Sequence, residues 1–129
     1  MFDIVSLFPA AFDRVSLSRQ SDDNAEKGTA TVTFTPDIPT EGDYDIVFIY
    51  VPHPNRASNV PVMVSAVSAP THTTNEVTRK VDERRTDTDG FVSLGKFHLA
   101  QGRATSVTVS NRGTDGYVVA DGVQFIPVP

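Results

Sequence analysis

The amino-acid sequence predicts an all-β domain, built as an antiparallel β-sandwich with jelly-roll-like connections. Composition gives the first indication, because the 129 residues contain 18 Val and 14 Thr but only 4 Leu. β-Branched side chains favour pleated strands over helices. Spacing gives the second, because about eight strand-like segments recur at intervals of 8–12 residues with no substantial helix between them.

The first 28 residues hold the least regular part of this pattern. Residues 3–8 and 12–19 are each typical of a short strand, and Pro9 separates them. The polar run 21–28 is typical of a loop.

Residues 29–35 alternate cleanly, with Ala30, Val32 and Phe34 on one face and threonines on the other. This period of two predicts a half-buried strand. The run 36–42 (PDIPTEG) predicts a turn, because Pro and Gly interrupt strands.

The segment 44–51 (YDIVFIYV) is almost wholly apolar, which predicts a central strand covered on both faces. A loop over 52–59 follows, with a helical turn expected after Asn55. Residues 60–67 predict the next strand. The polar, β-branched run 71–81 predicts an exposed or edge strand.

The charged run 82–90 predicts a hairpin-type loop, and 111–116 a tight turn. In the run 91–99, the odd-numbered positions are expected on one face and the even-numbered on the other. A β-bulge is expected at Gly122. Three strands are predicted here, over 91–99, 105–110 and 117–128.

Length and charge narrow the classes of protein. A chain of 129 residues corresponds to one domain. Two interpretations are open: a cytoplasmic protein, or a domain excised from a larger protein. Because the sequence opens and closes on strand-like segments, residues 1–129 are expected to be an excised domain. The net charge of −5 argues against nucleic-acid binding. There is neither an apolar run of membrane-spanning length nor a basic segment typical of a signal peptide.

Motifs for catalysis are weak. The three histidines, His53, His72 and His98, form no HExxH pattern, and no serine lies in a GxSxG elbow. Cysteine is absent, which excludes thiol catalysis and disulfides. A zinc hydrolase is therefore not expected, and a Ser–His–Asp site assembled by the fold stays open as an alternative.

Two acidic turns leave two interpretations open. Asp87 and Asp89 precede Gly90, and Asp115 precedes Gly116. Carboxylates at alternate positions can ligate calcium through oxygen. Asp-Gly is equally the commonest signal for a plain hairpin turn.

The loop after the central strand is the most distinctive stretch. It places aromatic, cationic and amide side chains together, which can stack on a sugar ring and bond its hydroxyls; these are Tyr50, His53, Asn55, Arg56 and Asn59. The same side chains can instead satisfy the backbone of their own loop. A basic run also has two interpretations: it could bind an acidic glycan, or it could be a solvated strand edge. The run comprises Arg79, Lys80, Arg84 and Arg85.

From Gly42 onward, five motifs follow one another: GDYDI, PNRASNVPV, VSLGKF, VTVSN and GTDGYVVADGVQF. In these motifs the chain resembles the golvesin-type C-terminal domain, which is also found appended to bacterial xanthan lyase-like proteins. The resemblance is strongest over 42–126. The family often has Trp near Tyr50 and at Phe91, so the chain departs from the pattern at these two positions.

The resemblance implies a β-sandwich accessory module without its own active site, similar to carbohydrate-binding modules. It implies an extracellular or periplasmic location, as part of a larger exported bacterial protein. The expected partner is a polysaccharide, or alternatively the parent protein's other domains.

The ligand candidates expected to be exposed are Tyr50, His53, Arg112 and Tyr117, with Asp115 as a hydrogen-bonding or calcium partner. Asp121, within the last motif, is a further calcium candidate. It is also a candidate partner for Arg56, because buried charges need pairing. Calcium is the only cofactor that the sequence suggests.

Overall fold

A computed structural model describes residues 2–6, 20–21, 27–28, 30–85 and 90–128, the first two segments by their backbone alone. The described residues form strands and turns, and they contain no helix long and apolar enough to cross a membrane. The predicted all-β class is therefore confirmed. The strands are β1 (Phe2–Ser6), β2 (Gln20–Ser21), β3 (Thr31–Pro36), β4 (Gly42–Ile49), β5 (Val60–Ser68), β6 (Thr73–Val81), β7 (Phe91–Leu99), β8 (Ser106–Ser110), β9 (Val119–Ala120) and β10 (Gly122–Pro127).

Two sheets pack as a sandwich. The larger has the order β1-β3-β8-β5-β6 and the smaller the order β10-β4-β7, while β2 and β9 form a separate short pair. All pairings are antiparallel except that of β1 with β3, where Phe2 pairs with Val32 and Ser6 with Pro36. The predicted antiparallel sandwich is confirmed.

The core lies between the inward faces of the two sheets. Alternate residues of β3, β4, β5 and β8 meet there because side chains in a strand point to opposite faces in turn. Burial of these apolar side chains is the main favourable contribution to folding. The fully buried ones include Phe34, Ile46, Phe48, Val62, Val64 and Val107.

The order of strands in the sheets confirms two further predictions. The apolar strand β4 lies between β10 and β7, at the centre of its sheet. The polar strand β6 forms an edge of the larger sheet, and most of its side chains are exposed. The strand expected over 12–19 lies outside the described residues.

A β-bulge makes the predicted alternation of residues 91–99 wrong. Ile46 pairs with Gly95 while Val47 pairs with Ser93, so Leu94 is an extra residue in β7. Gly95 has a φ of 125°, a backbone conformation that residues with a Cβ atom rarely adopt. The positions that point inward therefore shift by one residue at the bulge, so that Leu94 and Leu99, one even-numbered and one odd-numbered, are both buried.

The last predicted strand is divided in two. Asp121 separates β9, which pairs with β2, from β10, which pairs with β4. The expected bulge at Gly122 is wrong, because the register between β10 and β4 runs unbroken from Gly122 to Pro127. A change of partner strand at Asp121 thus interrupts the strand.

Candidate functional site

Three connections meet at one end of the sandwich, where β4, β6 and β8 end. We call residues 51–59, 82–85 and 111–118 the loop cluster. Most of the sequence-predicted ligand residues lie in it. Residues 53–56 form a turn, closed by Arg56 N donating to the His53 carbonyl at 3.0 Å, and this turn begins before the position expected from the sequence.

Asp115 and Asn59 join two of these connections. The backbone N–H and hydroxyl of Ser58 donate to the Asp115 carboxylate at 2.7 and 2.6 Å. Asn59 Nδ2 donates to the Gly113 carbonyl at 3.0 Å, and its Oδ1 accepts from Asp115 N at 3.2 Å. The Ser58 bonds, and then the Arg84 guanidinium at 3.4 Å, hold the pKa of Asp115 below its usual value.

The backbones of the same two connections pair directly. Ala57 N donates to the Tyr117 carbonyl at 2.7 Å, and Tyr117 N to the Asn55 carbonyl at 3.1 Å. Gly116 allows this approach, because a Cβ there would lie 2.7 Å from the Arg56 carbonyl oxygen. The loop cluster is therefore closely packed at this point.

Arg56 uses its guanidinium within its own loop. Nε donates to the Val51 carbonyl at 3.2 Å and Nη1 to Asn55 Oδ1 at 2.7 Å. The expected pair with Asp121 is thus wrong. Asp121 instead donates its backbone N–H to the Ile49 carbonyl at 2.9 Å.

Sequence reasoning missed the buried carboxylate of the loop cluster, which belongs to Glu83. Its side chain is fully buried, and Oε1 accepts from Val119 N at 2.9 Å. Its backbone donates to the Ala57 carbonyl at 2.9 Å and accepts from His53 N at 3.2 Å. The sequence carried no signal for this burial, because Glu83 lies beyond the end of β6 at Val81, in the charged run that predicts a loop.

Tyr50 corrects a second expectation. It was expected to be an exposed ligand residue, but it is 4% exposed and its ring stacks on Phe48 with centroids 5.7 Å apart. Tyr50 has the same parity as the inward residues Ile46 and Phe48, which explains its burial. His53, Asn55 and Arg112 are exposed, and Tyr117 is half-buried.

Only two of the four calcium candidates, Asp115 and Asp121, lie within the described residues. Asp87 and Asp89 lie outside the described residues, Asp115 is exposed and Asp121 is half-buried. Within the part of the chain that the structure describes, no three acidic or histidine side chains are grouped to hold a metal ion. Calcium binding stays a prediction.

A second candidate surface lies between the edge strands β6 and β7, and we call it the edge groove. It encloses about 370 Å³ and is lined by Tyr50, Arg79, Lys80, Val81, Asp82, Arg85, Phe91, Val92, Ser93 and Leu94. Arg79 Nε crosses the groove to the Leu94 carbonyl at 3.2 Å, which links the two sheets. Phe91 is 56% exposed.

The opposite end of the sandwich carries an exposed histidine between two carboxylates. His98 Nδ1 lies 2.8 Å from Asp43 Oδ1, and Nε2 lies 2.9 Å from Glu41 Oε2. These hydrogen bonds, to Glu41 first and then to Asp43, raise the pKa of His98 above its ordinary value.

Comparison with known proteins gives consistent matches. The family model described as the Golvesin C-terminal domain matches residues 15–127. The chain is 40% identical over 119 residues to a xanthan lyase of Bacillus sp. (strain GL1), covering 90% of this chain and 12% of that protein. Among solved structures, Paenibacillus xanthan lyase matches with a TM-score of 0.76 and 28% identity, over 95% of this chain and 12% of that one.

A more distant likeness is to an isomalto-dextranase of Arthrobacter globiformis T6, with a TM-score of 0.49 and 21% identity. It covers 81% of this chain and 18% of that one. The chain therefore spans only a small part of the enzymes that it matches.

Proposed function

The chain belongs to the Golvesin C-terminal domain family, and from this premise we propose that it is a non-catalytic accessory module of a larger exported bacterial protein, which it attaches to an extracellular polysaccharide. One observation carries the proposal: a sandwich with its own core corresponds to 12% of a xanthan lyase at 40% identity. A polysaccharide-binding module raises the local concentration of substrate at the domain to which it is joined.

The exposed side chains of the loop cluster supply the first set of contacts. His53, Asn55 and Arg112 offer hydrogen bonds to hydroxyls or carboxylates, and Tyr117 offers part of a ring. Asn59 and Asp115 form hydrogen bonds between the connections. We therefore assign them to holding the shape of the surface rather than to contacting the ligand. A surface held in this way loses little conformational entropy on binding.

The test is an NMR titration of the ¹⁵N-labelled chain with xanthan and dextran fragments, with and without calcium. We expect shifts at residues 53–55 and 112–117. The double variant H53A/R112A should weaken binding, while Arg103→Ala, an exposed arginine on another loop, should leave it unchanged. Absence of any shift with every polysaccharide would refute the proposal.

The titrations with and without calcium test whether calcium takes part in binding. Shifts that appear only after calcium is added would direct mutagenesis to Asp87, Asp89, Asp115 and Asp121. Shifts that are the same with and without calcium would remove calcium from the proposal.

A second candidate function is packing against another domain of the parent protein. The observation that favours it is a small exposed apolar patch: Val51 is 43% exposed and Phe91 56%. Phe91 pairs with Ile49, which places these two side chains on one face of β4 and β7, and Val51 follows two positions after Ile49. If V51S/F91S abolishes association with the parent's catalytic domain and leaves polysaccharide shifts unchanged, this function is the correct one for that face.

A further inference from the structure

The larger sheet ends at a long and regular edge strand. β6 pairs with β5 residue for residue from Thr73 to Val81, with no bulge. Among the strands that the structure describes, none pairs with the second edge of β6. The strand holds neither proline nor glycine, and none of its residues has a positive φ. Its second edge therefore presents a row of backbone donors and acceptors with which a further strand can pair.

The register with β5 divides the side chains of β6 between the two faces of the sheet. Odd-numbered residues pair with inward residues of β5, as Arg79 does with the buried Val62, so even-numbered residues lie on the outer face. The outer residues are Thr74, Glu76, Thr78 and Lys80, and all four are exposed. Opposite charges therefore lie two positions before and two positions after Thr78.

The charges of Glu76 and Lys80 are not paired within the described part of the chain. No ion pair among those residues involves either side chain. Across the sheet, Glu76 lies opposite Ser65 and Lys80 opposite Pro61, and neither of these β5 residues is charged. Both charges are thus available to a strand that pairs with the second edge.

A second copy of β6, running antiparallel, matches this pattern. With a twofold axis through Thr78 and perpendicular to the sheet, Glu76 of each copy lies opposite Lys80 of the other, and Thr78 lies opposite itself. Pairs of opposite charge and Thr–Thr pairs stabilise directly opposed positions. An axis through Glu76 or Lys80 places like charges opposite each other, and an axis through Val77 places both charges opposite threonines. We infer that β6 is a self-association edge, at which a second copy of this chain pairs antiparallel about Thr78.

This arrangement goes beyond attachment of one module to a polysaccharide. The loop cluster follows the end of β6 at Val81, so two antiparallel copies carry their loop clusters at opposite ends of the joined sheet. An assembly with two binding surfaces holds a repeating polymer with greater avidity than one module does.

Charged side chains on an edge strand can instead prevent such pairing. Arg79 does not extend this protection along the edge, because its Nε donates to the Leu94 carbonyl of the smaller sheet at 3.2 Å. Lys80 repels a second copy only where it meets another cation, and about Thr78 it meets Glu76. A protective role predicts a monomer at every concentration, whereas self-association predicts a dimer whose fraction rises with concentration.

Introduced cysteines test the axis, because the chain contains no cysteine of its own. Thr78→Cys places the thiols of two copies directly opposite each other. Thr74→Cys, on the same face of the same strand, places them about 27 Å apart along the strand and is the matched control. We expect a short bifunctional maleimide to cross-link Thr78→Cys into dimers at least about tenfold faster, because association raises the effective concentration of the two thiols.

Charge reversal tests the complementarity, with analytical ultracentrifugation of the full chain as the measurement. Glu76→Lys and Lys80→Glu each replace two opposite-charge pairs by like-charge pairs, so each should weaken association roughly fivefold or more. The double variant E76K/K80E restores opposite charges and should associate as the wild type does. Arg103→Glu makes the same charge change as Lys80→Glu on an exposed loop and should leave association unchanged.

Thermal unfolding of each variant checks that the fold is retained. A wild-type monomer at every concentration would overturn the inference. Equal cross-linking of the two cysteine variants, or a double variant that associates no better than the single variants, would overturn it as well.

Discussion

The two ends of the sandwich use similar polar side chains for different purposes. In the loop cluster they bond backbone groups: Asp115 accepts from Ser58 N, and the buried Glu83 accepts from Val119 N. At the opposite end His98 bonds the exposed carboxylates of Glu41 and Asp43. A buried backbone donor that loses its partner lowers the free energy of unfolding, whereas an exposed side chain that loses its partner can hydrogen-bond water instead. The polar side chains of the loop cluster therefore stabilise the fold, whereas those around His98 can exchange their bonds for bonds to water.

The largest effect is expected from Gly116→Val. The new Cβ would lie 2.7 Å from the Arg56 carbonyl oxygen and 2.9 Å from Ala57 N, so the two connections must separate. We expect the free energy of unfolding to fall by about 3 kcal/mol or more. The control is Gly42→Val, where nothing lies within 4 Å of the new Cβ. Equal losses measured by chemical denaturation would contradict the contrast between the ends.

Glu83→Ala comes next. It removes the acceptor of Val119 N and leaves a cavity where a fully buried side chain stood. The expected loss is about 2–3 kcal/mol in the free energy of unfolding. Glu41→Ala removes an exposed carboxylate at the other end and should cost less than about 0.5 kcal/mol. A loss in Glu83→Ala no larger than in this control would show that the buried carboxylate is not structural.

Asn111→Ala tests the side of the loop cluster that joins the N-terminal part of the described chain. The buried Oδ1 accepts from Gly28 N at 2.8 Å and Ala30 N at 3.2 Å. Loss of both bonds should lower the free energy of unfolding by about 2 kcal/mol. Urea denaturation beside Asn55→Ala, an exposed amide, is the measurement; similar midpoints for the two variants would count against the network.

The smallest effect is expected at the opposite end and depends on pH. The folded pKa of His98 is raised above 6.5 by its two carboxylate partners, so its contribution to stability is complete below that value. It is lost as the pH rises through the folded pKa. The stability difference between the wild type and His98→Gln should thus be larger at about pH 5.5 than at about pH 8.5. A difference that does not vary with pH would mean that protonation of His98 between Glu41 and Asp43 does not contribute to stability.

The pattern of apolar and polar residues predicted most of the fold. The continuous apolar run of β4 correctly predicted a central strand, and the polar run of β6 an edge strand, because the number of faces that a strand buries is visible in its local sequence. Period-two alternation predicted the buried face of β3 that carries Phe34. The bulge at Leu94 could not be predicted in this way, because it is a mismatch between β7 and β4 and belongs to neither strand alone.

The candidate site was predicted less well, for a different reason. Residue type suggests a ligand ring for Tyr50, whereas its parity with Phe48 in the predicted strand 44–51 places it inside. Glu83 lies in the charged run 82–90, where residue type and pattern both indicate a surface loop. The bonds of Asn59 and Asp115 to other connections depend on contacts across more than 50 positions, which only the folded chain reveals.

The bulge in β7 also bears on how molecules of this chain meet one another. β7 is a nine-residue strand at the edge of its sheet, and a long regular edge is a template for pairing with a strand of a second molecule. The extra Leu94 and the positive φ of Gly95 interrupt the row of edge hydrogen-bonding groups and increase the local twist. A chain in which this irregularity had been deleted should therefore self-associate and form aggregates more readily, even if its core were unchanged.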